Sequence, residues 1–328
     1  MKAIVQDTYG SADVLELRDI DKPVVTGKEV LVRVHAAGVD PGVWHVMTGL
    51  PYLIRIMGYG FRAPKTQVPG FDVAGRVEAV GTNVTRFAVG DDVFGMCDGS
   101  FAEYACAKEK DVARKPTNLT FEQAAVVPNS AFTALQGLRN HGKVQAGQHA
   151  LIIGAAGGVG SYAVQLAKAF GAEVTGVCST TKLDLVRSIG ADHVIDYTQD
   201  DFAESGQRYD VILDTAGARS LSHLRRALTP RGTLVFVGAE GGNRWTGGIG
   251  RQLRAIMLSP FVRHNLRMFI ASSNIEDLEF LKHLIETGKV TPVIDRTYPL
   301  SEAPKAIRYL AEGHARGKVV INVQGLSA

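Results

Sequence analysis

In the stretch LIIGAAGGVG, from Leu151 to Gly160, an apolar run leads straight into a glycine-rich turn. Ala155, Gly157 and Gly160 fall on the GxGxxG spacing, with alanine in the first place. Such a turn lets a pyrophosphate approach backbone N–H groups at the positive end of a helix dipole. Gly157 permits the approach, and Gly160 lets the following helix pack on the preceding strand. The backbone of Ala156, Gly157, Gly158 and Val159 is therefore expected to hold the phosphates. The spacing alone is a weak signal; its place between a strand and a helix makes it specific.

The flanking segments have the character this needs. Ala150 to Ile153 are apolar enough for a central parallel strand buried on both faces. Ala163, Val164, Ala167 and Phe170 recur at helical spacing, and Gly171 is a plausible stop. Strands are then predicted from Glu173 to Ser179, His193 to Tyr197, Tyr209 to Gly217 and Thr233 to Gly238. Helices are predicted over KLDLVRSIGA and over SLSHLRRALTPRG, the latter ended by Pro230 and Gly232. This alternation implies an α/β, Rossmann-type doubly wound parallel sheet with right-handed crossovers.

Upstream the pattern changes to short strands punctuated by glycine: KAIVQ, VLELRDI, EVLVRVHAAGV, FDVAGRVEAVG and GDDVFGM. Gly70, Gly75, Gly81 and Gly90 permit bends, and the whole suggests a partly open β-barrel. The first helix signal is the threonine cap of TFEQAAV at Thr120. A final strand, ARGKVVINV, is expected to rejoin the barrel. The barrel domain is thus discontinuous, residues 1–122 and 292–328, around a dinucleotide-binding domain of residues 123–291.

A length of 328 residues suits two domains, and 45% hydrophobic with 21% charged residues is ordinary for a soluble globular chain. A net charge of +3 lends no support to nucleic-acid binding. No run is long enough to span a bilayer and the N-terminus has no signal-peptide apolar region, so no stable membrane insertion is expected. Cys97, Cys106 and Cys178 are odd in number and lack paired spacing, which points to a reducing, cytoplasmic setting.

The glycine-rich barrel, the AAGGVG turn and the final GKVV strand together resemble the medium-chain dehydrogenase/reductase superfamily. AAGVDPGVWHVMTG, VPGFDVAGRVEAVG, VGDDVFGM and AAVVPNSAFTAL make the chain most similar to the zinc-independent quinone oxidoreductase and enone reductase branch. The resemblance implies a GroES-like barrel domain. Zinc alcohol dehydrogenases of the superfamily place cysteine, histidine, glutamate and cysteine around the catalytic metal; the matching positions here are Asp40, Phe71, Asp72 and Asn129. Catalytic zinc needs about three protein ligands, and Phe71 cannot ligate. No metal is therefore expected. Without a metal to acidify an alcohol, reduction of a quinone or an α,β-unsaturated carbonyl fits best, since the acceptor's own carbonyl takes the developing charge.

An NAD-selective domain carries an acid at the end of its second strand. Here Cys178, Ser179, Thr180 and then Lys182 stand there, and the hydroxyls and lysine favour a 2′-phosphate, hence NADPH. By resemblance Tyr197 also lies near that phosphate. An alternative is that Thr181 and Asp184 merely form a capping pair. Asn129 and Thr133 are expected to approach the nicotinamide, as are Thr215, Ala216 and Gly217 after the fourth strand and Val237 and Gly238 after the fifth. Phe269 and Lys318 join them by resemblance, with an exposed strand-end lysine as the alternative for Lys318.

The stretch VDPGVWHVMTGLPY, expected as a loop, supplies the candidates for catalysis. Asp40 either bonds a ribose hydroxyl or water, or caps the turn at Pro41. His45 and Tyr52 are candidate proton donors to an enolate or hydroquinone oxygen. Trp44 is either a core aromatic or a platform for a flat substrate. From Gly241 to Ser273 there is no acid, while Arg244, Arg251, Arg254, Arg263 and Arg267 recur among apolar residues. The favoured reading is a helix beside the cofactor domain with its arginines in water; an acidic substrate or an anionic surface is the alternative. NLRMFIAS could be an edge strand pairing across a homodimer. Competing functions are a zinc-free alcohol dehydrogenase, and an NAD(P)-binding regulatory or nucleic-acid-binding relative with little turnover.

Overall fold

The computed structural model describes residues 1–237 and 243–324. The chain divides into two compact units: residues 1–132, 273–288 and 292 onward form the first, and residues 133–272 with 289–291 form the second. The first unit contains β1 (Lys2–Val5), β2 (Glu16–Asp19), β3 (Glu29–Val39), β4 (Asp72–Val80), β5 (Asp92–Met96), β6 (Tyr104–Lys108) and β7 (Val112–Arg114). The second contains β8 (His149–Ile153), β9 (Glu173–Cys178), β10 (His193–Asp196), β11 (Tyr209–Asp214), β12 (Leu228–Phe236) and β13 (Asn265–Met268). The chain then returns to the first unit as β14 (Ile294–Pro299) and β15 (Lys318–Asn322).

The first unit is built around β3. Its residues 29–33 pair antiparallel with β6 and its residues 36–39 with β15, so one long strand serves two neighbours on the same edge. The sheet runs β14-β15-β3-β4-β5-β7, and β14 does not pair with β7, which leaves the barrel open. Gly75 sits where the β3–β4 register shifts; a Cβ there would lie 2.1 Å from the Arg33 carbonyl. Val32, Val34, Val39, Val73, Val77, Phe101 and Ile321 form its core, each fully buried side chain of this size contributing about 1.5–3 kcal/mol.

Helix α1 (Pro41–Thr48) occupies the stretch expected as a loop. Proline starts it without losing a hydrogen bond, Val43 and Met47 are buried on one face, and Gly49, at φ +64°, ends it. The Thr120 cap opens α2 (Phe121–Ala125): its hydroxyl accepts from the Gln123 N–H while the Gln123 side chain accepts from the Thr120 N–H. Then comes α3 (Pro128–Gln136).

All strand pairs of the second unit are parallel, in the order β10-β9-β8-β11-β12-β13. This is the Rossmann order 3-2-1-4-5-6. Its helices include α4 (Gly158–Ala169), α5 (Leu183–Ser188), α6 (Leu221–Arg226) and α7 (Ile249–Leu258). The helix expected to run to Pro230 ends at Arg226, and β12 already begins at Leu228. A proline fits in that strand because the register shifts between Tyr209 and Val211, whose partners are Leu228 and Thr233, so Pro230 owes no ladder bond. Strand β13 lies at the sheet edge.

Helix α8 (Ile275–Glu286), expected within the dinucleotide-binding domain, belongs to the first unit. The Asn118 side-chain amide donates to the Ile285 carbonyl at 2.9 Å, the Thr117 N–H to Glu286 at 3.3 Å, and Arg86 pairs with Glu279 at 3.4 Å. Those contacts hold it beside β7. The expected boundary at residue 122 likewise gives way to one inside α3, after Phe132.

Candidate active site

In the second unit the turn is built by four glycines with separate duties. Gly154, at φ +81°, makes the sharp exit from β8, a conformation that side-chain-bearing residues avoid. A Cβ on Gly160 would lie 2.0 Å from the Gly154 carbonyl, so only glycine lets α4 sit this close. A Cβ on Gly157 would meet only that same carbonyl, at 3.3 Å, and would otherwise project into open space. Gly157 also caps α4 with no side-chain acceptor, so Gly158 and Val159 open the helix with the N–H groups that an intrahelical ladder leaves unpaired. Ala156 is buried beneath the turn. The arrangement is a cradle for an anion.

Beside it, the end of β9 delivers Ser179, Thr180 and Lys182, the latter two in a single 3-10 turn. The Thr180 hydroxyl donates to Asp196 at the end of β10 and lies 3.1 Å from the Thr198 hydroxyl. Asp196 also accepts from the Thr198 N–H at 3.0 Å; the bond from Thr180, with those from Thr198, holds its carboxyl below the usual range. Asp196 therefore orients the hydroxyl cluster, an acid that the expected second-strand position did not reveal. Tyr197 is 50% exposed next to it. The capping pair of Thr181 and Asp184 is absent: Lys182 caps α5, and Asp184 pairs with Arg187 at 3.1 Å. Cys178 is buried, and burial followed by the Asp196 charge pushes its thiol up to about 11.

Between β8 and β11 the strand order reverses, the place where such sheets take ligands. The Thr215 hydroxyl spans the reversal, donating to the Ile153 carbonyl at 2.7 Å. Gly217, at φ +72°, donates its N–H to Asp214 at 3.1 Å, with exposed Ala216 between them, and the Val237 N–H donates to the Asp214 carbonyl at 3.0 Å. Gly238 lies outside the described residues. Asp214 is buried and paired at 2.8 Å with Arg251 of α7, whose guanidinium also faces the Phe236 ring. One arginine of the acid-free stretch is thus committed to the core of the unit rather than to water. Phe269 stacks on His141 with centroids 4.5 Å apart, and Thr133 is half-buried on α3.

The first unit holds a different constellation. Lys318 is 2% exposed, Asp40 1% and Asp72 0%. The Lys318 ammonium donates to Asp40, donates to the Ser130 hydroxyl at 3.0 Å and lies 3.6 Å from Asp72. Ser130 in turn donates to Asp40 at 3.2 Å, and the Asn129 N–H donates to Asp72 at 3.0 Å. Gly38 makes the room: a Cβ there would lie 3.0 Å from the Asp72 carboxyl and 2.6 Å from the Ala125 carbonyl. Lys318 is therefore neither an exposed strand-end lysine nor outward-facing, and Asp40 stands at the N-cap of α1 without capping it.

Two carboxyls and one ammonium cannot all be charged in so dry a place. Burial, then the Asp40 charge, pushes Asp72 well above the ordinary carboxylate value. For Asp40 burial acts the same way, but the Lys318 charge and hydrogen bonds with Asp72, Lys318 and Asn129 together outweigh it and keep the carboxyl low. Lys318 stays above the ordinary lysine value because the two carboxyls overcome its desolvation. Of the two carboxyls, Asp72 is thus the one that holds a proton more readily. Positions 40, 71, 72 and 129 do not suit a metal: Phe71 has no donor, and the Lys318 ammonium already sits against both carboxyls. Among the described residues no group of three or more histidines, cysteines or acids is placed to hold a metal ion.

On α1, His45 has Nδ1 2.8 Å from the Leu50 carbonyl. A carbonyl there requires N–H at Nδ1, which leaves Nε2 as the acceptor in the neutral ring and a donor only in the imidazolium. The Trp44 ring packs edge-on to His45 and against the core of the unit. The Tyr52 ring lies under the Arg55 guanidinium, 4.8 Å away, and Tyr9 is a second ring against the same cation.

Comparison with known proteins agrees with both units. Residues 26–117 match the alcohol dehydrogenase GroES-like domain, and residues 189–321 match a domain described as zinc-binding dehydrogenase. A 2-methylene-furan-3-one reductase of Solanum lycopersicum is 37% identical, across 98% of this chain and 79% of that one. An NADPH-dependent alkenal/one oxidoreductase of Arabidopsis thaliana, chloroplastic, is 36% identical over the same shares, 98% and 79%. The solved quinone oxidoreductase of Coxiella burnetii superposes with a TM-score of 0.86 at 30% identity, covering 99% of each chain. The chain belongs to the medium-chain dehydrogenase/reductase superfamily, in its quinone and enone reductase branch.

Proposed function

We propose that this protein is an NADPH-dependent, zinc-independent reductase of quinones or α,β-unsaturated carbonyls. The observation that carries the reading is the Asp40–Lys318–Asp72 cluster, which puts two carboxyls held by a buried ammonium at two of the four positions where zinc relatives carry ligands. The names of the relatives above support the acceptor class and the cofactor. Bound NADPH supplies a hydride. The turn at Gly154–Gly160 would hold its pyrophosphate on the open N–H groups of α4, and Thr180, Lys182 and Tyr197 would face the 2′-phosphate. On the second unit, Thr133, Thr215, Ala216, Gly217, Val237 and Phe269 would border the nicotinamide end.

In this reading Asp40 and Lys318 are positioning residues: they tie the start of α1 to β15 and α3, and so fix where His45 and Tyr52 stand. The proton that completes reduction comes from the Tyr52 hydroxyl or from Nε2 of a protonated His45. Tyr52→Phe and His45→Gln tell the two apart: the variant that removes the donor lowers kcat and leaves NADPH binding intact. The open edge of β13 favours a homodimer paired along that strand. The three unpaired cysteines favour a cytoplasmic, reducing setting, and no helix among the described residues is long and apolar enough to cross a membrane.

The test is NADPH and NADH oxidation by EDTA-treated protein with quinones, enones and simple aldehydes as acceptors. Turnover of NADPH with an enone or quinone, indifferent to EDTA, is the expected result; tight NADPH binding without turnover of any acceptor refutes it. Lys182→Ala should narrow the preference for NADPH over NADH by about tenfold, the loss of one charge-assisted hydrogen bond to phosphate of roughly 1.5 kcal/mol.

A further inference from the structure

Helix α7 is turned so that its outer side is apolar. Its rotation is fixed from within the second unit: Arg251 pairs with the buried Asp214 at 2.8 Å, Gln252 and Ala255 are buried, and Ala255 shares a core with Leu266 of β13. With 3.6 residues per turn, the opposite side then carries Leu253, Ile256 and Met257, all exposed, Met257 to 72%. Phe261, in the 3-10 turn Ser259–Phe261 that continues α7, is 85% exposed, and Trp245, just ahead of the helix, is exposed as well. Single exposed apolar side chains are ordinary on a protein surface, whereas a row of them along one helix and its flanks marks an interaction surface. The expected helix with its arginines in water is thus only half of what is found, because the side between those arginines is not polar.

The free charges along that row have one sign. Arg244 precedes α7, Arg254 lies within it and Arg263 follows it; each is exposed, and none has an ion-pair partner among the described residues. From Gly241 to Ser273 the sequence holds no acid to answer them. Apolar area set among unanswered positive charges is complementary to the headgroup layer of an anionic bilayer, where arginines meet phosphates and carboxylates while apolar side chains sink to the acyl boundary. Tryptophan is a residue that anchors at that depth. Other occupants fit less well. In a two-fold contact with a second copy the patch meets itself, so its arginines would face arginines. A nucleic acid would answer the arginines through its phosphates but leave the apolar row without a partner. The outer side of a helix is also convex, and yielding headgroups take up such a ridge without a matching groove.

We propose that α7 and its flanks dock the protein peripherally on an anionic lipid surface. The helix lies in the headgroup plane, held to the protein through Arg251 and Ala255 and to the lipid through its apolar row and the three free arginines. The test is co-sedimentation of the protein with vesicles of phosphatidylcholine alone and of equimolar phosphatidylcholine and phosphatidylserine. Binding is expected to the mixed vesicles only, and to fall as salt is raised past physiological strength. The chain has two tryptophans, and Trp44 packs against the core of the first unit, so a blue shift of emission on binding reports Trp245 leaving water. Arg254→Gln combined with Arg263→Gln should weaken partitioning by about 25-fold, about fivefold for each charge at ~1 kcal/mol near an anionic surface. Met257→Asp combined with Phe261→Asp should remove both the binding and the blue shift. All four side chains are exposed, so circular dichroism and thermal unfolding of both double variants should match the wild type. Equal binding to the two kinds of vesicle, binding to neither, or binding indifferent to both double variants overturns the proposal. So does a protein that ignores vesicles but sediments as a dimer which Met257→Asp with Phe261→Asp splits, since the row is then covered by a second copy.

Discussion

Each unit buries charge, and the two do so with different stoichiometry. In the second unit one acid, Asp214, meets one cation, Arg251, and the arginine reaches in from α7 with 18% of its side chain still exposed. In the first unit two acids meet one cation, and all three are essentially dry. The even pair balances without help from protons. The uneven cluster balances only when Asp72 keeps its proton, so it ties the stability of the unit to pH. It also cannot give up a member cheaply: Lys318 gathers β15, the start of α1 and Ser130 of α3 around one ammonium.

The largest expected effect is the loss of that ammonium. Lys318→Met strands the Asp40 charge in a dry site and should destabilise the protein by about 3–5 kcal/mol, the cost of breaking a buried pair from one side. Arg251→Met should cost less, about 1.5–3 kcal/mol, because a single charged hydrogen-bonding partner is lost beside a surface that water can reach. Urea unfolding of both variants measures the difference. Equal losses would mean that the stoichiometry of the two sites has no energetic consequence.

Asp72→Asn sharpens the same comparison through pH. With its carboxyl raised, Asp72 holds a proton in the folded state that the unfolded chain releases near pH ~4. Above that point the native state binds more protons than the unfolded one, so stability declines as pH rises towards the raised value, with a slope of up to about 1.4 kcal/mol per pH unit. Asparagine mimics the protonated acid and removes that slope. The stability of Asp72→Asn should therefore be flatter than that of the wild type from about pH 4 upward. Asp40 works in the opposite sense: its lowered carboxyl contributes stability that disappears as pH falls through its folded value, and it sets the acid limb in both proteins. Parallel pH profiles would show that Asp72 is ionised in the folded state.

The contrast between the units also explains what could be read from residues alone. The cofactor turn is local: its strand, glycines and helix follow one another from His149 to Ala169, and each requirement is a matter of backbone conformation or spacing. Only Gly154 escaped, because the GxGxxG spacing starts one residue later than the position that adopts positive φ. The cluster of the first unit joins residues 278 apart in sequence, and no periodicity links Asp40 to Lys318. Helix α1 was hidden for a related reason. With Pro41 and Gly42 opening it and Gly49 closing it, the stretch has the composition of a loop, and burial of Val43 and Met47 makes it a helix. The buried carboxamide of Gln6 gave no signal at all, since a glutamine after an edge strand is ordinarily in water.

Gln6 supplies the smallest of the expected effects and the one of opposite sign. Lys318 and Arg251 are buried polar groups with partners, so removing them leaves those partners stranded. The Gln6 carboxamide is buried with none among the described residues, so replacing it by the thioether of Gln6→Met deletes a desolvation cost and leaves no orphan behind. Stability should rise by about 1 kcal/mol, at the low end of the cost of an unmade buried hydrogen bond. Unfolding of both proteins in urea checks the sign: a loss of stability in Gln6→Met would mean that the carboxamide is part of the scaffold.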